Sequence, residues 1–145
     1  MAITITKADV KRKCMIPTSD TSYDSSIDSL IAEMQPAIEY GIESAYLAET
    51  GNAGLQATLK LGILELMSGE FLEQMCREAG ASEEFSVAGV TVGERKERGM
   101  ALMQQGAERL APYLKSSSST TSETQIKSTT EDADRILSGD ESAVW

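Results

Sequence analysis

The chain has 145 residues, enough for one domain with a substantial core and too few for two ordinary domains. Thirteen Lys and Arg stand against 23 Asp and Glu, a formal charge of -10, which excludes broad, non-specific binding to nucleic acid by bulk charge. The sequence contains no histidine, which excludes Ser-His-Asp and Cys-His catalysis and His-ligated zinc sites. Only 5% of the residues are aromatic, so we expect an aliphatic core.

The first helix is predicted close to the start of the chain. Thr6 precedes the sequence KADVKRK and is expected to cap a short helix that ends before Pro17. The basic side chains of this helix are expected on its solvent side: Lys7, Lys11, Arg12 and Lys13. A turn-rich stretch, PTSDTSYDSS, follows, and Thr21, Ser22 or Asp24 is expected to cap the second helix.

The second helix is predicted by apolar residues that recur at spacings of three and four from Ile27 to Tyr46. Pro36 lies inside this pattern and is expected to bend the helix rather than end it, because the apolar stripe continues in phase beyond it. Gly51, Asn52 and Gly54 predict its stop and the following loop.

A third helix is predicted from about Leu55 to Ala79, closed by Gly80. Its apolar stripe is wide enough to need neighbours on two sides, which is typical of the central helix of a bundle. Cys14 and Cys76 show no CxxC spacing, and we expect two buried thiols in a reducing cytosol rather than a metal cluster or redox pair.

The period changes to two between Phe85 and Val92, which predicts a small β-hairpin before the last helix. That helix is expected from about Gly93 to Leu114, with Pro112 bending or ending it early. Its apolar face is expected to comprise Met100, Met103, Ala107, Leu110, Ala111 and Leu114. As surfaces for a partner or another subunit we single out Phe85, Val87, Val90, Val92, Met100 and Met103.

The composition changes at Lys115, beyond which Ser, Thr and acidic residues dominate. We expect this tail, residues 115–145, to be disordered by itself and to become ordered on a partner, because it has too few apolar residues to form a core. Its expected apolar anchors are Ile136, Leu137, Val144 and Trp145. The sequence thus predicts a mainly α fold: a body over 1–114, a bundle of about four helices with a small β-hairpin near 85–92, followed by an extended C-terminal tail.

No pattern of residues indicates an active site, a metal site or a cofactor site. The paired carboxylates at Glu83-Glu84, Glu131-Asp132 and Asp140-Glu141 are interpreted as solvated loops. The basic residues leave three interpretations open, namely solvated helix faces, ion pairs between subunits, or DNA contacts. They are Lys11, Arg12 and Lys13 in the first helix and Arg95, Lys96 and Arg98 at the start of the last.

The order of these elements is more informative than any single motif. A capped helix with ADVK, a Ser/Asp/Thr loop, two long helices, a short FSVAGVTV strand pair and a helix closing on AERLAPYL follow one another. Over about residues 3–114 this order resembles the head-tail adaptor, or head-completion connector, proteins of tailed bacteriophages. The resemblance is carried by Thr6 to Lys11, Asp20 to Ile27, Phe85 to Val92 and Ala107 to Tyr113.

The resemblance implies a non-enzymatic structural protein of the virion neck, made in the host cytoplasm. It implies a homo-oligomeric ring, usually of twelve copies, that docks to the portal protein and receives a stopper or tail-completion protein. It also implies that DNA passes through the ring without specific binding. An acidic body suits such a channel, since it repels phosphates.

The alternative class is a small DNA-binding packaging or regulatory protein, similar to a terminase small subunit. It would use the first helix and its four basic residues as a recognition element. The long loop from Pro17 to Ser26 and the acidic start of the following helix disfavour a helix-turn-helix. An enzyme is the third interpretation.

Overall fold

The structure is a computed structural model, and it describes residues 3–78 and 92–116. The described part is mainly α, as predicted, and contains no strand. The helices are α1 (Lys7–Lys13), α2 (Asp24–Gly41), α3 (Ser44–Ala48), α4 (Ala53–Glu78) and α5 (Val92–Leu110), followed by a 3₁₀ turn (Ala111–Tyr113). These elements belong to one compact unit, Met1–Lys115, which ends one residue beyond the predicted body. From here on, the body means this unit.

Helix α1 begins at a capping box, as its sequence predicts. The Thr6 side chain accepts a hydrogen bond from the Asp9 backbone N–H, and the Asp9 carboxylate accepts one from the Thr6 backbone N–H at 3.1 Å. The helix ends at Lys13, before Pro17, as expected. The chain then turns at Met15, whose φ of 58° lies in the left-handed region.

Helix α2 runs through Pro36 without ending, as predicted, but it stops earlier than the apolar pattern suggests. Neither Thr21, Ser22 nor Asp24 caps it, since the N-cap position is Tyr23 and Asp24 is the first helical residue. The predicted continuous helix to Tyr46 is also wrong, because Ile42 is extended and forms an antiparallel bridge with Leu114.

Two backbone hydrogen bonds cause that break. The Glu43 N–H donates to the Tyr113 carbonyl and the Lys115 N–H donates to the Gly41 carbonyl, both at 2.9 Å. Pairing with a distant segment therefore replaces the next helical turn, and the chain resumes as the separate five-residue helix α3. Local periodicity carries no information about this pairing.

Helix α4 is the central helix, as its wide apolar stripe predicts, because α1, α2 and α5 all pack against it. Its fully buried side chains include Leu59, Ile63 and Met67, and Phe71 meets the Tyr23 ring edge-on at a centroid distance of 6.0 Å. The predicted closure at Gly80 lies outside the described residues.

Helices α4 and α5 form an antiparallel pair whose contact is made by glycines. Gly62 faces Gly106, and seven residues further along α4, Gly69 faces Gly99. A Cβ built at Gly69 would lie 2.6 Å from the Gly99 carbonyl oxygen. The two backbones are thus closer than any side chain allows, and this close approach fixes which face of α5 is buried.

Candidate functional site

Charged side chains of α1, α4 and α5 meet on one surface around the buried carboxylate of Glu65. Arg109 donates to both Glu65 oxygens, from Nε at 2.9 Å and from a terminal nitrogen at 3.2 Å, and Lys13 Nζ lies 3.4 Å from the same carboxylate. The Glu65 side chain is 3% exposed, whereas those of Arg109 and Lys13 are 37% and 31% exposed. Glu65 therefore joins three helices, and its fork-like pairing raises the pKa of Arg109.

A second carboxylate, Asp9, continues this surface along α1. Lys60 Nζ lies 3.3 Å from Asp9, and an Arg12 terminal nitrogen lies 3.7 Å from it. Partial burial raises the pKa of Asp9, but the hydrogen bonds from Thr6 and Lys60 lower it by more, so the carboxyl titrates below its ordinary value of 3.8. A shallow cavity of about 310 Å³ opens here, lined by Asp9, Arg12, Lys13 and Leu64.

Lys11 contradicts the expectation that all basic residues of α1 face solvent, because its side chain is only 3% exposed. Its ammonium group donates to the backbone carbonyls of Thr18 and Asp20 and pairs with the Asp24 carboxylate. The hydrogen bond from Lys11 is the main reason why the pKa of Asp24 is lowered. Lys11 thus fixes the loop between α1 and α2 and is unavailable to DNA or to another subunit.

The remaining basic residues are distributed between internal pairs and solvent. Lys7 pairs with Asp24 at 3.6 Å and Asp28 at 3.1 Å, while Arg12 remains 75% exposed. Lys96 is also exposed, and the side chain of Arg95 lies outside the described residues. The recognition element required by the DNA-binding alternative therefore loses most of its cations to intramolecular pairing.

The buried face of α5 differs from the one that the sequence predicts. Leu110 of the predicted face is buried, as expected, whereas Ala107, Ala111 and Leu114 of that face are exposed. The other buried residues, Gly99, Leu102 and Gly106, lie outside the predicted face. Met103 is half-buried and packs against Gly69, and its role at an interface stays a prediction. Met100 is 55% exposed and stays a candidate interface residue.

An exposed apolar patch lies at the C-terminal end of the body. Tyr40 is 79% exposed and Leu114 is 45% exposed. Leu114 packs beside Gly41, since a Cβ built on Gly41 would lie 3.9 Å from the Leu114 side chain. The Lys115 ammonium lies 4.0 Å above the Tyr40 ring and donates to the Tyr40 carbonyl at 2.5 Å. We call Tyr40, Leu114 and Lys115 the C-terminal patch.

Most of the remaining predicted interface residues lie outside the described part of the chain. These are Phe85, Val87 and Val90 of the hairpin and Ile136, Leu137, Val144 and Trp145 of the tail. The sequence predicts that Val92 ends the hairpin, but Val92 is the first residue of α5. The helix thus begins one residue earlier than the predicted start at Gly93. Of the two cysteines expected to be buried, Cys14 is buried and Cys76 is half-buried.

Sequence reasoning missed Glu65, Arg109 and the glycine contacts. Glu65 lies within the apolar stripe of α4, where a single carboxylate carries no sequence signal of burial or pairing. The signal that identifies the glycines is their spacing, since Gly62 and Gly69 are seven residues apart and so are Gly99 and Gly106, a repeat that places each pair on one side of its helix.

Among residues 3–78 and 92–116, no group of three or more Cys, Asp or Glu side chains is arranged to hold a metal ion. In the same ranges no helix has the length and apolar character needed to cross a membrane. Comparison of the chain with models of protein families, with curated proteins and with solved structures found no match.

Proposed function

We propose that the protein is a structural adaptor of the tailed-phage neck, a ring subunit that docks to the portal and links the DNA-filled head to the stopper or tail. The body supplies the ring, and residues 116–145 supply the contact with the portal through Ile136, Leu137, Val144 and Trp145. The mainly α fold with a central helix, which the sequence pattern predicts, agrees with the described residues.

The observation that carries the proposal is the fixed end of the body. Two backbone hydrogen bonds at 2.9 Å hold residues 113–115 against residues 41–43, and the exposed C-terminal patch lies at the same end. A segment that transmits force or position between two large partners needs a rigid attachment, which this pairing provides. Exposed aromatic and aliphatic surface beside the attachment is suited to a protein partner.

The charge of the chain supports a channel role for the ring. A formal charge of -10 disfavours adhesion of DNA to the surface that lines its path. The rival DNA-binding function is less well supported, because Lys7, Lys11 and Lys13 are engaged by carboxylates of the same chain.

The test is removal of residues 116–145, with two measurements on the truncated protein. We expect an unchanged thermal midpoint, since the body is a compact unit that ends at Lys115, together with loss of retention on portal-bearing heads. A full-length variant with Val144 and Trp145 replaced by Ser should reproduce the loss, whereas Ser117→Ala with Ser118→Ala should not. Full retention of the truncated protein on heads would contradict the portal contact.

A further inference from the structure

Five cations concentrate on one surface of a strongly acidic protein. Arg12, Lys13, Lys60 and Arg109 surround the carboxylates of Asp9 and Glu65, as described above. Arg98 adjoins them, since it donates to the Lys13 carbonyl at 3.4 Å and contacts the Met15 sulfur. We call these five cations and two carboxylates the basic cluster. Five positive and two negative charges leave it with three net positive charges.

The cluster stands out against the rest of the chain. The whole chain carries -10, so the residues outside the basic cluster carry -13. Part of the cluster is accessible, because the Arg12 side chain is 75% exposed and that of Lys60 is 42% exposed. The cavity between Asp9, Arg12, Lys13 and Leu64 adds a recess of about 310 Å³ with an apolar wall.

The opposite charge is concentrated in α2 and in the residues that flank α3. Residues 24–52 contain six carboxylates and neither Lys nor Arg; we call this stretch the acidic segment. Asp24 and Asp28 are paired with lysines of α1. Glu33, Glu43 and Glu49 are exposed, and none of them forms an ion pair with a described residue. Their charge therefore remains available to an outside partner.

We propose that the basic cluster binds the acidic segment of a second copy of this chain, head to tail. Each copy carries both surfaces, on different helices, so one copy can offer its cluster to one neighbour and its acidic segment to another. Such heterologous contacts generate closed rings when the rotation between copies closes. This inference deepens the proposed ring and rests on it.

The contact is weak by itself and sensitive to salt. Complementary charge at exposed sites mainly sets the orientation and rate of association rather than its affinity, and exposed pairs contribute about 0–1 kcal/mol each. Charges further apart than the Debye length, about 8 Å at physiological ionic strength, are screened. The free protein therefore self-associates at high concentration and low salt, and a docking platform that gathers copies favours the ring.

The experiment uses the full-length chain and a charge swap, with self-association measured by sedimentation velocity at low and high salt. Arg12→Glu reverses an exposed cation whose one ion pair among the described residues is with Asp9 of its own helix. Glu33→Lys reverses an exposed carboxylate of the acidic segment. Each single variant should self-associate about tenfold more weakly than the wild type. The double variant R12E/E33K has the net charge of the wild type and should recover much of the loss.

The matched control is Arg77→Glu, which changes the net charge by the same amount as Arg12→Glu. Arg77 is 65% exposed and lies near the end of α4, about 25 Å along the helix from Lys60. The R77E variant should associate as the wild type does.

Each of three outcomes would overturn the proposal. They are a wild type that stays monomeric in low salt at all concentrations, single variants that associate normally, and a double variant that associates more weakly than both single variants. A far-UV circular dichroism spectrum of each variant confirms that it is folded.

Retention on portal-bearing heads separates this inference from the proposed function. Charge-sensitive self-association without portal binding would support the contact and reject the adaptor role. Portal-bound rings that assemble equally well from R12E and wild-type protein would support the adaptor role and reject the contact. If R12E instead lost binding to a DNA fragment while its self-association was normal, the cluster would be a nucleic-acid surface and the inference would be wrong.

Discussion

Gly106 of α5 lies so close to Gly62 of α4 that a Cβ built on Gly106 would be 2.7 Å from the Gly62 carbonyl oxygen. The same Cβ would be 2.9 Å from the backbone nitrogen of Leu66. Backbone atoms within a helix cannot move aside as a side chain can. The separation of α4 and α5 is therefore set by the absence of side chains at these positions.

Gly106→Ala is expected to destabilise the body by about 1–3 kcal/mol, because the helices must separate to admit one methyl group. Chemical denaturation measures the effect. Gly51→Ala is the control, since a Cβ there meets nothing within 4 Å, and it should leave stability unchanged or slightly raised. Equal stability of the two variants would contradict the close contact of the helices.

Arg109→Met is expected to cost about 2–4 kcal/mol, because it leaves the buried Glu65 carboxylate with Lys13 alone. Replacing both partners, as in E65M/R109M, should restore part of the loss, since no buried charge then lacks its partner. Lys60→Met is the comparison, because Lys60 is 42% exposed and its removal should cost less than about 1 kcal/mol. A double variant less stable than R109M would argue against this account.

Acid should unfold the body through Asp9 and Asp24, whose pKa values both lie below the ordinary 3.8. A carboxyl whose pKa is lower in the folded state than in the unfolded state stabilises the fold fully when the pH is above the unfolded-state pKa. This stabilisation is lost as the pH falls through the folded-state pKa. The thermal midpoint should therefore fall as the pH is lowered from about 5 toward 3.

Lys11→Met tests the origin of this pH dependence, since the hydrogen bond from Lys11 is the largest cause of the lowered pKa of Asp24. The variant should be less stable at neutral pH and should lose less stability on acidification than the wild type. Lys115→Met, at a lysine that interacts with Tyr40, should keep the wild-type slope. Identical slopes in all three proteins would contradict the assigned role of Lys11.

Tyr40→Ser separates docking from folding. Tyr40 is 79% exposed, so the substitution should change the free energy of unfolding by less than about 0.5 kcal/mol while weakening retention on portal-bearing heads. Tyr46→Ser should instead lower stability, because Tyr46 is half-buried and packs edge-on against Tyr113 at a centroid distance of 5.2 Å. Normal retention of the Tyr40 variant would remove the C-terminal patch from the docking surface.

Features that depend on neighbouring residues are predictable from the sequence. The cap at Thr6, the passage of α2 through Pro36 and the central position of α4 follow from hydrogen-bonding groups and apolar spacing within one segment. The end of α5 at Leu110, where the 3₁₀ turn with Pro112 begins, follows from the missing proline N–H. Each is predictable because the residues that carry the signal lie within one segment of the chain.

Contacts between distant segments of the chain determine the break at Ile42, the burial of Lys11 and the buried face of α5. The break depends on Leu114, 72 residues away along the chain, and the burial of Lys11 depends on carbonyls that a loop brings to it. On α5, hydrophobicity predicts a buried face that includes Met100, yet Met100 is exposed and glycines form the contact, because α4 offers a matching pair of glycines. Hydrophobic periodicity identifies the large apolar residues of a helix. Close packing instead buries the residues whose shape fits the neighbouring helix, and the local sequence does not specify that neighbour.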